Sequence, residues 1–280
     1  MLRIRPMKTA DFRSIVNLTK EERWGFGIRD LKRMMTLEPK GCFVAVLDDR
    51  PVGLTTTISY GKKLAWIGNV VVHRKHRGVG IGTSLVQSAI AHVLRLHVNR
   101  IGLNSYAENE SMYQRLGFRR VDGFVRLSIS LETGKPANEN REIPFGQIMR
   151  LDKRAFGADR TRLLQCLLRE FPRGWTWILK GAEVLGYSTV KRYQDSSEIG
   201  PSVSQDMNQD TVATLLQSSI ALARRWPLEL SIPESNRTVL ETATRLGFRL
   251  ERKGVVMSYS DLDTITVSPA TVAFGFLDKG

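Results

Sequence analysis

The sequence predicts a mixed α/β protein built from two similar units, and three observations carry that reading. Short apolar runs with strand-like alternation are interleaved with segments of helical periodicity along the chain. A glycine loop, Arg-Gly-Val-Gly-Ile-Gly at 77–82, joins the apolar run at 64–72 to one of those helical segments. A heptapeptide, Tyr-Gln-Arg-Leu-Gly-Phe-Arg at 113–119, returns as Ala-Thr-Arg-Leu-Gly-Phe-Arg at 243–249.

In the first half, residues 2–7 alternate as a strand. Asp11 stands where it can N-cap a helix over 12–19, and Asp30 opens another over 31–37, which Pro39-Lys-Gly41 ends. Residues 42–47 and 52–60 read as a hairpin around Asp48-Asp-Arg-Pro51, and 64–73 follows as the next strand. A helix from Thr83 to about Leu96, a strand over 100–105 and a helix over 108–115 ended by Gly117 come next. Strands over 118–120 and 124–131, around Asp122-Gly123, complete this half. The polar stretch after it contains Pro and Gly and no apolar period. The expected domains are therefore 1–132 and 142–280, with a linker at 133–141. In the second half a hairpin over 176–190 parallels 44–57, and a strand over 227–232 parallels 100–105 ahead of the repeated heptapeptide. The apolar helix 212–223 reads as core, as do Trp175, Trp177 and Tyr187.

Composition narrows the function classes. The 280 residues carry a net charge of +14, most of it (+11) in residues 1–132. A basic surface steers anions toward it, whether a nucleotide-like cofactor, an acidic protein or nucleic acid. Hydrophobic content of 42% suits a buried core. No apolar run approaches the roughly 18 residues of a membrane span, and the first residues lack a signal-peptide h-region, so a cytoplasmic protein without membrane partners is expected. Cys42 and Cys166 lie far apart in apolar surroundings, as buried free thiols would, and no metal-ligand cluster accompanies them.

The glycine loop is the chemical centre of the sequence, because loop amides and a helix N-terminus together hold phosphate. A Walker A loop is excluded, since Gly82 is followed by Thr83 with no lysine. A dinucleotide fingerprint fits poorly, because its third glycine would fall on Thr83 and no carboxylate stands near Val98. What remains is Arg77-x-x-Gly80-x-Gly82, preceded by the cationic run Arg74-Lys-His-Arg77. This resembles the pyrophosphate loop of the GNAT superfamily of N-acetyltransferases. The hairpin, the 64–72 strand, the loop and the Tyr113–Phe118 motif follow GNAT order over residues 1–131. The resemblance extends to tandem GNAT proteins through Phe-Gly-Ala-Asp-Arg at 156–160 with Leu163-Leu164, and through the stretches at 38–45 and 64–68.

The resemblance implies two GNAT folds in tandem, each a mostly antiparallel sheet with helices on both faces. It implies acetyl-CoA as acetyl donor. Val70, Val71 and Val72 would offer backbone groups to the acetyl carbonyl and the pantetheine arm, where the strand splays from its neighbour. Arg77, Gly78, Val79, Gly80, Ile81, Gly82 and Thr83 would hold the pyrophosphate. Tyr113, five residues before Phe118, would protonate the departing thiolate. The pattern also departs from the family: Tyr106 stands where an Asn is common, and no carboxylate lies in 64–72. Asn69 and Asn104 are the candidate acceptor-binding residues, and Glu22, Asp30 and His73 the candidates for proton removal. The second half has no glycine loop, and Ala243 replaces Tyr113, so this copy is expected to be silent. The leading reading is acetyl transfer to the primary amine of a small molecule or protein. A non-catalytic acyl-CoA sensor and an RNA- or ribosome-associated acetyltransferase are the alternatives, although no aromatic-basic RNA platform is present.

Overall fold

The structure is a computed structural model that describes residues 1–22, 24–130 and 142–275. Its elements are β1 (Leu2–Pro6), α1 (Phe12–Glu21), α2 (Ile28–Leu37), β2 (Cys42–Leu47), β3 (Arg50–Tyr60), β4 (Leu64–Val72), α3 (Ile81–Leu94), β5 (Ile101–Tyr106), α4 (Glu110–Arg115) and β6 (Phe118–Ile129). There follow α5 (Phe145–Phe156), α6 (Thr161–Glu170), β7 (Trp175–Lys180), β8 (Glu183–Arg192), β9 (Ser197–Ser204), α7 (Gln209–Leu222), β10 (Leu228–Pro233), α8 (Arg237–Arg245), β11 (Arg249–Tyr259) and β12 (Thr271–Ala273). The mixed α/β class is as expected. The expected linker at 133–141 lies outside the described residues. The two strands expected around Asp122-Gly123 are one strand, β6. Gly123 is there for close approach and not for a turn: a Cβ on it would stand 2.1 Å from Glu234 Oε2.

The chain forms two compact units, neither continuous in sequence. Unit 1 takes Met1–Arg119 and Met257–Ile265, while unit 2 takes Arg120–Val256 and residues 266–275. The division drawn from composition therefore differs from the compact units, which exchange 120–129 and 257–265. Polar composition marks where a chain is exposed but not which sheet a strand joins. Here β6 pairs antiparallel with β10, from Phe124↔Pro233 to Ile129↔Leu228.

In unit 1 the strand order is β1-β2-β3-β4-β5, with β11 beyond β5. Alternation along β2 decides which helices each face receives. Val44 and Val46 point to Ile15 and Leu31 of α1 and α2, whereas Phe43 and Ala45 point to Ile81 and Leu85 of α3. β4 and β5 run parallel in register only from Ala65↔Ile101 to Ile67↔Leu103. Both strands continue beyond that point, to Val72 and Tyr106, and so they part there. β4 also carries a bulge at the parting: Leu54 pairs with Val71 and Thr56 with Gly68, which sets Thr55 against two residues, Asn69 and Val70.

Unit 2 repeats this plan. β9 and β10 are parallel from Ser197↔Leu228 to Ile199↔Leu230. Ser188 pairs with Ser202 and Val190 with Ile199, so Thr189 faces Gly200 and Pro201. The bulges bring Asn69-Val70 of one unit into correspondence with Gly200-Pro201 of the other. The core beneath α7 gathers Val212, Leu215 and Leu216 against Ile199 and Leu230. Cys42 and Cys166 are buried and free, as expected.

Asp11 immediately precedes α1 but makes no side-chain cap to it. Its carboxylate instead accepts two hydrogen bonds from the Arg5 guanidinium and one from the Lys8 amide, each at 2.7 Å. Burial alone would raise this carboxyl, but the Arg5 and Lys8 hydrogen bonds outweigh it and hold the group below its ordinary range. A depressed carboxyl contributes stability that is fully present above its unfolded value, about 3.9, and is lost as pH falls through the folded one. Thermal unfolding between pH 6 and 3 is expected to show a smaller acid loss in Asp11→Asn than in the wild type. Equal losses would remove Asp11 from the acid response.

Candidate active site

Three segments of unit 1 meet where β4 and β5 part. Past the bulge, β4 supplies Val70, Val71 and Val72 on a side where β5 no longer pairs in register. Among the described residues, past Ile67 no in-register β5 partner takes up the β4 backbone groups that face this side. The Val72 carbonyl accepts Arg77 Nε at 2.8 Å.

After β4 the chain makes a 3-10 turn over Arg74–His76 and enters the glycine loop, where Gly78 and Gly80 take φ of 80° and 85°. Only glycine holds such angles without strain. No atom lies within 4 Å of a Cβ built on either residue, so the outer side of the loop is open. Gly80 caps α3, and the first amide of the helix to reach a carbonyl is that of Ser84, on Gly80 at 3.0 Å. Among the described residues the amides of Ile81, Gly82 and Thr83 reach no carbonyl, and they stand at the positive end of the helix dipole. Val79 is 72% exposed at the tip.

α4 forms the third side. A Cβ on Gly82 would contact Met112 Sδ and Val72 Cγ2, at 3.7 and 3.8 Å. Tyr113 follows Met112, buried and edge-on to Phe118 with centroids 6.1 Å apart. Phe118 is in turn edge-on to Tyr259 of β11, at 5.3 Å. The Tyr113 hydroxyl is hydrogen-bonded to Ser105, the second residue of β5 past the parting. Burial pushes the phenol well above its ordinary value, and the Ser105 hydrogen bond offsets that only in part. Tyr113 is therefore a neutral proton donor throughout the physiological range. Asn104, the first residue past the parting, is an orphan. Its Oδ1 and Nδ2 are both buried, and neither has a hydrogen-bond partner among the described residues. A buried polar group left so costs about 1–3 kcal/mol, which a ligand amide would relieve.

Other residues singled out from the sequence are differently employed. Asn69, at φ 53°, donates to Thr56 Oγ1 at 2.8 Å and to Met34 Sδ at 3.3 Å, and so pins the bulge. The Arg77 guanidinium is drawn toward Val72 O and Glu22 rather than laid over its own loop, and Arg74 joins it on Glu22. These arginines brace the loop against the end of α1. Glu22 is thereby committed, and Asp30 is likewise committed, to the Gly27 amide and Arg33. His73 Nδ1 accepts the Lys75 amide at 3.3 Å. None of the three stands free to take a proton. Sequence reasoning missed Ser105, Met112 and Tyr259. Tyr259 lies more than 140 residues downstream of Tyr113, and no local pattern announces it.

The sequence profile of the acetyltransferase (GNAT) family matches residues 9–118, and that of an acetyltransferase (GNAT) domain matches residues 148–265. The chain is a tandem GNAT acetyltransferase. It is similar to the holothin acyltransferase of Pseudoalteromonas sp. (strain SANK 73390), with 24% identity over 234 residues, covering 81% of this chain and 74% of that one. An acetyltransferase-like protein of Pyrococcus horikoshii shares the fold with a TM-score of 0.81 at 24% identity, over 100% of this chain and 96% of that one. A tandem GNAT protein from the clavulanic acid biosynthesis pathway shares it with a TM-score of 0.65 at 14% identity, over 95% and 100%. Membership in the GNAT family brings use of an acyl-CoA and an amine acceptor. Among the described residues, no helix is long and apolar enough to cross a membrane.

The residues present fit an acyl-CoA. The open glycine loop at the α3 N-terminus suits a pyrophosphate, and the orphaned Asn104 amide suits an amide-bearing arm. Gly80→Val must hold a β-branched residue near φ 85°, at about 1–2 kcal/mol. It is expected to raise KM for the acyl donor about tenfold with little change in kcat. An unchanged KM in the folded variant would take the loop out of donor binding.

Proposed function

We propose that this GNAT protein transfers an acetyl group from acetyl-CoA to a primary amine, at a single site in unit 1. The observation that carries the proposal is the parting of β4 from β5 at Ile67 and Leu103, with the glycine loop at one end and Tyr113 beside it. The bound donor supplies an activated thioester, whose acyl group a neutral amine can take and whose sulfur leaves as a thiolate. The chain's own groups do the rest. The loop amides of residues 78–83 hold the pyrophosphate. Val70, Val71 and the side chain of Asn104 orient the amide arm, and an amide of β4 past the bulge points a donor at the acyl oxygen as it gains charge. The Tyr113 Oη–H donates its proton to the leaving sulfur. The phenol is then restored by the proton the amine gives up, carried by solvent, because Glu22 and Asp30 are already paired.

The test is acceptor-dependent thiol release across a panel of primary amines, with acetyl-CoA compared with longer acyl-CoAs. Release that requires an amine and is fastest with acetyl-CoA is expected. Tight donor binding without acceptor-dependent release from any amine would favour a sensor instead.

A further inference from the structure

In unit 2 the parting between β9 and β10 is filled by the chain itself. β12 lies antiparallel along β9 just past the bulge, with Thr271 opposite Val203 and Ala273 opposite Ser202. The Ser204 amide donates to Ala270 O, and the Phe274 amide donates across to Ser231 O of β10, each at 2.9 Å. Val272, Ala273 and Phe274 are buried, and the Phe274 ring packs edge-on to Phe124. Asn236, the N-cap of α8, donates from Nδ2 to Thr271 O at 2.9 Å. Lys191, wholly buried, donates to Gly275 O.

Register correspondence shows what place this segment holds. Ser202 and Val203 stand where Val71 and Val72 stand in unit 1, and Ser231, like Asn104, is the first residue past the last parallel pair of its strand. Gly200 stands where Asn69 does and has φ 125°, and a Cβ on it would lie 2.0 Å from Phe274 O. The missing side chain is therefore the room that the segment needs. Pro201 stands where Val70 does and has no N–H to offer an acyl oxygen.

We propose that residues 270–275 are a built-in occupant of the second unit's cleft, an extended peptide in the place that the amide arm of acyl-CoA takes in the first. The tandem chain then carries one acyl-CoA site, and its second cleft is a peptide-binding groove already satisfied in cis. The inference rests on reading the unit 1 cleft as the acyl-CoA site.

Two measurements on the full-length chain test it: hydrogen–deuterium exchange with and without saturating CoA, and CoA stoichiometry by native mass spectrometry. Protection of the Phe274 amide that CoA does not change, with one CoA per chain, is expected. Asn236→Asp keeps an acceptor for the Val239 amide but loses the donor to Thr271 O, so exchange at 271–274 should rise about tenfold or more while α8 stays protected. Two CoA molecules per chain, loss of tail protection on adding CoA, or a tail unprotected in the wild type would overturn the proposal. A protected tail in a chain that binds no CoA would instead sink the acyl-CoA reading of unit 1 and leave the occupant in its groove.

Discussion

Tyr113→Phe is expected to lower kcat by about 10²–10³-fold while leaving KM for acetyl-CoA and the folded structure unchanged. The ring is held by its edge-on contact with Phe118, which phenylalanine keeps, and among the described residues the polar tie lost is the hydrogen bond to Ser105. On the proposed mechanism, what disappears is the proton for the leaving sulfur. The pH profile adds a second check. Burial holds the phenol above its ordinary value of 10.0, so it stays protonated as pH rises. The wild-type rate should climb with pH as the acceptor amine loses its proton, with no fall up to about pH 10. The variant should show the same climb to a much lower plateau. A rate within twofold of wild type would leave Tyr113 as a packing residue.

The second large effect concerns stability in unit 2. Asp152 of α5 accepts two hydrogen bonds from Arg160, Nε on Oδ2 and Nη2 on Oδ1, each at 2.8 Å, and a third from the Tyr187 hydroxyl. The Arg160 and Asp152 side chains are 4% and 1% exposed. The Phe156 ring lies under the guanidinium at 4.0 Å, and Trp175 stacks on Tyr187 at 6.0 Å. Asp152→Ala would take from a buried cation and a buried hydroxyl the carboxylate to which both donate, and is expected to cost about 3–5 kcal/mol. Near 2–4 °C per kcal/mol, that is a fall in Tm of roughly 10 °C. The penalty belongs to the two donors that lose this carboxylate, so removing them together should recover much of it. The triple change Asp152→Leu, Arg160→Met, Tyr187→Phe is expected to melt well above Asp152→Ala. A triple variant no more stable than the single would mean that the cavity, and not the lost acceptor, sets the cost.

These two sites show what the sequence discloses. The loop, β4 and Tyr113 were legible because each is a local pattern: glycines at fixed spacing, an apolar run before them, an aromatic five residues before Phe118. Arg160 was legible within Phe-Gly-Ala-Asp-Arg, but its partner Asp152 was not, since eight residues and the turn at Gly157 separate them and burial decides the pairing. The exchange of β6 and β11 between units escaped for a related reason. The two strands follow near-identical heptapeptides, so local sequence cannot say which sheet each completes. β12 is three residues of unremarkable Thr-Val-Ala, made a strand by the β9 edge it meets. Glu22 and Asp30 were named as candidates for proton removal, and only the structure shows them already paired with Arg33, Arg74 and Arg77.

The central claim is that acyl-CoA lies between β4 and β5 of unit 1 with its pyrophosphate on the glycine loop. Amide-resolved hydrogen–deuterium exchange on adding a non-reactive CoA analogue tests it most directly. New protection at Val70–Val72 and across residues 78–83, with the Asn104 segment following, is the expected result. Binding at saturation that leaves those amides unchanged, or that protects only unit 2, would contradict it.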